Sequence, residues 1–236
     1  MRTALVTGAD RGLGFSLAKE LVCRGFFVYA GQYMPDWPFL AELKKERPDA
    51  LCVVPLDVSD EKSVLRAKEE VARTCGVLDV LVNVAGISGR HGDSLGQAPD
   101  IENFERVVSV NAFGALRVTQ AFLPLMEKGE KRLGFVSSEA GSIECCTRAG
   151  YMSYAVSKTA LNMGVKLLFN ELEPRGYRFR LYHPGWLRTW MSGEKSTAGE
   201  FEPEESAAVY ADQLLEDRTW EDTLSIVDNK NAVWPF

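Results

Sequence analysis

Histidine is nearly missing from this chain: His91 and His183 are the two in 236 residues. That is too few for a histidine-built metal site, and each reads as an ordinary loop or core side chain. Cysteine is scarce and odd in number. Cys23, Cys52, Cys75, Cys145 and Cys146 are scattered, without metal-ligand spacing. Reduced thiols in a cytoplasmic protein are expected. Basic charge is not in excess, since the net charge is −6. A nucleic-acid partner or an anionic membrane surface is therefore not expected. No apolar run reaches the roughly 18 residues that a membrane-spanning helix needs. The opening "MRTALVTGAD" reads as a strand rather than as a signal peptide.

What is there suits one large globular domain, with 46% apolar and 25% charged residues. Short β-branched runs alternate with helical patterns. Strands are expected at 3–7, 26–30, 51–56, 78–84, 132–138, 178–183 and 223–227. Helices are expected at 12–24, 39–47, 60–74, 102–127, 152–173 and 203–216. The strand runs are apolar on both faces, as in a parallel sheet covered by helices on each side. The expectation is an α/β fold: a single domain with a doubly wound parallel sheet of about seven strands flanked by helices. No repeat or linker divides residues 1–236.

"TGADRGLG" (7–14) lies between the first strand and the first helix. Gly8, Gly12 and Gly14 would let the backbone turn and approach a pyrophosphate, which the helix N-terminus favours. NAD-binding sheets usually close their second strand with an acid for the ribose hydroxyls. Here that position falls near Gln32, and no acid follows until Asp36. Arg11, inside the glycine loop, is placed to reach a 2′-phosphate. NADP(H) is favoured over NAD(H), the alternative being that Gln32 bonds the ribose of NAD. Asp57, after the third strand, is a candidate for the adenine amino group, or else an acid at the start of the next helix.

"YMSYAVSK" (151–158) places Tyr154 and Lys158 one helical turn apart; Tyr151 has Ala155 at that offset. A phenol titrates near about 10 and is a poor acid–base at neutral pH. An ammonium at roughly 5 Å favours the phenolate by about 3 kcal/mol at an effective dielectric of about 20. That would bring Tyr154 into the range where it exchanges a proton with an alcohol or carbonyl oxygen. Ser137 and Ser138 end the fifth strand and could polarise a substrate carbonyl. Asn111 sits in an apolar helix and, if buried, must be satisfied, by a backbone carbonyl and a water leading toward Lys158. In "HPGWLRT" (183–189), Pro184 and Gly185 turn the chain and Thr189 can bond a carboxamide.

Together with "LDV", "NVAG", "VNAFG" and "VSSEAGS", these segments resemble, in order, the short-chain dehydrogenase/reductase family across nearly the whole chain. The resemblance implies NAD(P)(H)-dependent hydride transfer between nicotinamide and a carbonyl/alcohol pair. It implies a catalytic tetrad of Asn111, Ser138, Tyr154 and Lys158. Tyr154 would be the acid–base, Ser138 the carbonyl anchor and Asn111 the holder of a relay water. Lys158 would bond the nicotinamide ribose. The cofactor set would run through Gly8, Asp10, Arg11, Gly12, Leu13 and Gly14, then Gln32, Asp57, Val58, Asn83, Ala85 and Gly86. Tyr154, Lys158, Pro184, Gly185, Trp186, Leu187 and Thr189 would complete it.

Two departures stand out. Val84 replaces the second Asn of the usual N-N-A-G. The family's usual serine-to-tyrosine spacing, counted from Ser138, lands on Tyr151, whereas Tyr154 comes 16 residues on. Three extra residues in the 139–150 loop account for this, and Tyr154 is selected because it alone has the lysine partner. That loop is similar to the carbonyl-reductase-like branch that includes the sniffer and C-factor proteins. The substrate pocket is expected between the loops 87–99 and 139–152 and the segment 186–204. Trp186, Trp190, Met191 and Phe201 are candidates for an apolar lid or for plain anchors of that segment. A small-molecule carbonyl or alcohol, apolar or aromatic, is the expected substrate. The helices 102–127 and 152–173 could pair with a twin in a homodimer or homotetramer. The rival function is an NAD(P)-sensing or signalling protein that binds cofactor without turnover.

Overall fold

The computed structural model describes residues 1–89, 98, 100–191, 193–218 and 221–236. Among these residues, eight strands form one sheet: β1 Thr3–Val6, β2 Phe27–Gln32, β3 Leu51–Pro55, β4 Val80–Asn83, β5 Arg132–Val136, β6 Arg178–His183, β7 Ile226–Asp228 and β8 Val233–Trp234. Their order is β3-β2-β1-β4-β5-β6-β7-β8. The first seven are parallel, and β8 returns antiparallel along β7. The sheet is thus one strand larger than expected. At two residues, β8 is too short to show a period in the sequence.

Among the described residues, seven α-helices cover the faces: α1 Gly12–Cys23, α2 Phe39–Glu46, α3 Glu61–Thr74, α4 Ile101–Val108, α5 Ala115–Met126, α6 Met152–Leu172 and α7 Pro203–Leu215. Apolar residues of α3, α5 and α6 form one core with Leu81, Phe135 and Leu181 of the sheet. Those of α1, α2 and α7 form the other, with Ala4, Val28 and Tyr182. Both strand faces are buried, which explains the continuous apolar runs. Each fully buried Leu, Val or Phe contributes about 2 kcal/mol, so these layers hold the sheet against chain entropy.

The expected helix at 102–127 is α4 and α5 joined by a π-helical turn, Ser109–Gly114. The widened turn carries Asn111, and such bulges interrupt α-helices without ending them. Strands β2 and β3 lie on one side of β1, and β4 to β8 on the other. This reversal between β1 and β4 opens a crevice at the strands' C-terminal ends, where open α/β sheets bind ligands.

Candidate active site

The crevice begins at the glycine loop. Gly8 has φ +62° and lies against Ala85, and a Cβ on Gly14 would sit 2.1 Å from the Gly8 carbonyl oxygen. No side chain fits there, so strand, turn and helix close tightly. The Thr7 hydroxyl ties the ends of β1 and β4 together by accepting from Val84 N (3.0 Å) and Ala85 N (3.1 Å). A Cβ on Gly12 would meet Thr189 Cγ2 at 3.5 Å, so Thr189 crosses over the loop as a cofactor-contacting residue would.

Several residues expected to touch cofactor are occupied structurally. Asp10 is buried, and its Oδ1 accepts from Tyr33 N (2.8 Å) and Met34 N (2.7 Å). Burial pushes its carboxyl above the usual range, against those bonds. It shapes the segment just after Gln32, which ends β2 as the sequence suggested. Asp57 Oδ1 accepts from Ser59 N and Ser59 Oγ, while Asp60 is the N-cap of α3. Asn83 Nδ2 donates to Thr119 Oγ1 (3.1 Å), and its buried Oδ1 has no hydrogen-bond partner. Leu13 and Val58 are buried, Val58 against Gly114. Arg11 is placed differently: its guanidinium lies over the Trp37 ring, 4.8 Å from the centroid, and reaches Met34 Sδ (2.7 Å).

The segment 186–204 divides. Trp190 packs on Trp37 (5.6 Å between centroids) and Phe39 (5.7 Å), and Phe201 packs on Gly185 and pairs with Leu187. These two are anchors. Trp186 and Met191 are exposed, at 60% and 47%. The Pro184 carbonyl is held by Ser206 Oγ (2.9 Å). In the 87–99 loop, residues 90–97 and 99, including His91, lie outside the described residues.

At the other end of the crevice the four expected catalytic residues converge. A Cβ on Gly86 would lie 3.4 Å from Asn111 Oδ1 and 3.7 Å from Lys158 Nζ. Asn111 is buried, donating to the Ile87 carbonyl (2.8 Å) and to Ser157 Oγ (2.9 Å) and accepting from Ile87 N (2.8 Å). A backbone carbonyl satisfies it, as expected. Tyr154 lies beside Ser138, whose hydroxyl works to lower its phenol. Ser137 faces elsewhere and donates to Asn162 Oδ1 at 2.6 Å. Tyr151 precedes α6 in a left-handed conformation, φ 57°, so it is not the residue on the helix face with Lys158.

Lys158 is anchored to the end of β5. Its Nζ donates to the Val136 carbonyl (2.9 Å) and sits 5.7 Å from the centre of the Tyr154 ring. Burial pushes the ammonium down to about 8. Burial likewise pushes the phenol up to about 12, with Glu139 adding to the rise and Ser138 and Arg148 opposing it. Lys158 is buried and Tyr154 half-buried, and for each the loss of water around its charged form is the largest effect.

The sequence reading missed Ser157, Asn162, Glu139 and Arg148. Asn162 follows Lys158 by four residues and Ser157 follows Tyr154 by three, a helical spacing that was available as a signal. Asn162 also donates to the Gly141 carbonyl (3.0 Å), fixing the 139–150 loop to α6. Among the described residues no cluster could hold a metal ion, and no helix is long and apolar enough to cross a membrane.

Residues 2–200 match the family described as short chain dehydrogenase. An uncharacterized oxidoreductase of Schizosaccharomyces pombe is 32% identical over 227 residues, 95% of this chain and 89% of that protein. The NADPH-bound carbonyl reductase from chicken fatty liver superposes with a TM-score of 0.88 at 26% identity, over 100% of this chain and 99% of that one. A carbonyl reductase from Pseudomonas aeruginosa in complex with NADP gives 0.84 at 28% identity, over 100% of both. The chain belongs to the short-chain dehydrogenase family and is an NAD(P)(H)-dependent oxidoreductase acting on carbonyl or alcohol groups.

Proposed function

We propose that this protein is an NADP(H)-dependent carbonyl reductase, with Asn111, Ser138, Tyr154 and Lys158 as its catalytic residues. The observation that carries the reading is the convergence of Tyr154, beside Ser138, with a buried lysine one helical turn on and the buried Asn111, both next to Gly86. The bound nicotinamide supplies or takes up hydride at the substrate carbon. Tyr154 gives its proton to the carbonyl oxygen in reduction and recovers it in oxidation. Lys158, with three N–H donors and one given to Val136, holds the ribose and adds positive charge beside the phenol. Asn111 holds the π-helical turn against Ile87, next to Gly86.

The chain fits the dinucleotide where it can be tested. Gly8 and Gly14 leave room for backbone alone, and Thr189 faces Gly12. Arg11 is the cation for a 2′-phosphate, supported by the NADP(H) named for the two solved carbonyl reductases. NAD(H) would lack that contact. The exposed Trp186, Met191 and Ile143 favour an apolar or aromatic aldehyde or ketone. Residues 186–204 form the substrate lid, hung from the anchors Trp190 and Phe201. Phe113, Val156, Met163 and Leu167 are exposed apolar residues near or on α5 and α6, which supports a homodimer or homotetramer. The five free thiols suit a cytoplasmic location. NADPH oxidation against a panel of aldehydes, ketones and quinones, beside Tyr154→Phe, tests the reading. Turnover that survives in the variant overturns the residue assignment.

A further inference from the structure

Glu139 directly follows Ser138, and nothing in the glycine loop or the Tyr–Lys pair requires an acid there. Ser138 Oγ donates to Glu139 Oε2 at 2.5 Å. The same oxygen accepts from Ala140 N (3.1 Å), and the Tyr154 phenol lies beside it. A hydroxyl has one proton and two lone pairs. The one proton of Ser138 is therefore turned to Glu139. The Arg148 guanidinium holds Glu139 Oε1. From β6, His183 presents Nδ1 to Glu139 Oε2 at 3.8 Å; that nitrogen is buried and has no hydrogen-bond partner.

We propose that Glu139 is a positioning residue of this active site: held between Arg148 and His183, it orients the Ser138 hydroxyl and sets the charge beside which Tyr154 gives up and recovers its proton. The proposal rests on Tyr154 being the acid–base.

The charged groups around the phenol come from four elements. Lys158 lies on α6. Glu139 and Arg148 lie on the 139–150 loop. His183, on β6, faces Glu139, and Asp228, on β7, lies behind His183. Burial keeps His183 below the usual imidazole range. Burial works to raise the Glu139 carboxyl, but Ser138 and Arg148 overcome it and hold it low. At neutral pH the pair beside Tyr154 is an anion and a cation. The anion disfavours the phenolate and the cation favours it. In reduction the Tyr154 O–H bond breaks, an O–H bond forms on the substrate oxygen, and the substrate carbon takes hydride from the reduced cofactor. Glu139 thus holds the phenol in its proton-donating form and biases the site toward reduction, with Arg148 limiting the bias.

The test is a tyrosinate absorbance titration of the NADP+ complex, each protein measured against its own Tyr154→Phe counterpart. Glu139→Gln keeps an acceptor for Ser138 and removes the charge. Its midpoint is expected to fall by about one pH unit. Arg148→Met is expected to raise the midpoint by a similar amount, the double variant to restore it, and Glu139→Asp to titrate like the parent. Midpoints that stay put in both single variants, or move in the same direction, overturn the proposal. Turnover of 4-nitrobenzaldehyde with NADPH is read in parallel. If Tyr154→Phe keeps turnover, the acid–base reading fails. If that variant is dead and the midpoints are unmoved, only the role of Glu139 fails.

Discussion

Lys158 Nζ lies 2.9 Å from the Val136 carbonyl oxygen and 5.7 Å from the centre of the Tyr154 ring, in a wall that leaves the lysine 3% exposed. An ammonium so placed destabilises the fold. Its ordinary value of 10.5 falls to about 8. The folded state therefore holds the proton less well than the unfolded chain. The penalty is full below pH 8 and lifts as pH rises toward 10.5. Lys158→Met should raise stability at pH 7 by about 2 kcal/mol, after allowing about 1 kcal/mol for the lost bond to Val136. Thermal unfolding should show the gain at pH 7 and its shrinkage above pH 9, with turnover lost. A variant less stable than the parent at both pH values would contradict this.

His183 has the same sign for the same reason. Burial holds it below the ordinary 6.5, so the unfolded chain takes up the proton first. Stability is present above pH 6.5 and drains as pH falls through the folded value. Urea midpoints between pH 7 and pH 5 should fall less steeply in His183→Gln than in the parent.

Arg11 rests on Trp37, 4.8 Å from its ring centre, and Trp37 meets Trp190 at 5.6 Å. Arg11→Ala should reduce the preference for NADPH over NADH by on the order of 10- to 100-fold, the value of a charge-assisted phosphate contact. Michaelis constants for the two cofactors measure it. An unchanged ratio would move the 2′-phosphate contact elsewhere.

Arg180 is buried on β6 and grips Glu221 with both ends of its guanidinium, at 2.9 and 2.7 Å, while bonding the Gln213 carbonyl. Removing it strands a carboxylate and several carbonyls. Arg180→Ala should destabilise by about 3 kcal/mol in urea unfolding while leaving NADPH affinity unchanged.

The sequence made legible whatever depends on local pattern. The parallel sheet follows from doubly buried strand runs, and the choice of Tyr154 over Tyr151 follows from helical spacing. Gly8, Gly12 and Gly14 announce the tight turn between β1 and α1. What the sequence hid depends on tertiary burial. An i, i+4 offset shows that Lys158 is near Tyr154, but not that both are desolvated, and desolvation reverses the expected shift of the phenol. The backbone bonds of Asp10 to Tyr33 and Met34, and of Asp57 to Ser59, are likewise invisible in one dimension. Glu139 stood next to Ser138 in plain view, but its meaning comes from His183, 44 residues away, and from Arg148 across the loop.

The most direct test of the central claim is NADPH oxidation and NADPH binding in parent and Tyr154→Phe together. The account predicts turnover in the parent, a loss of about 1,000-fold in the variant, as removal of a positioned acid–base group gives, and unchanged cofactor affinity. Tight NADPH binding with no turnover of any carbonyl by the parent, or full turnover in the variant, would contradict it.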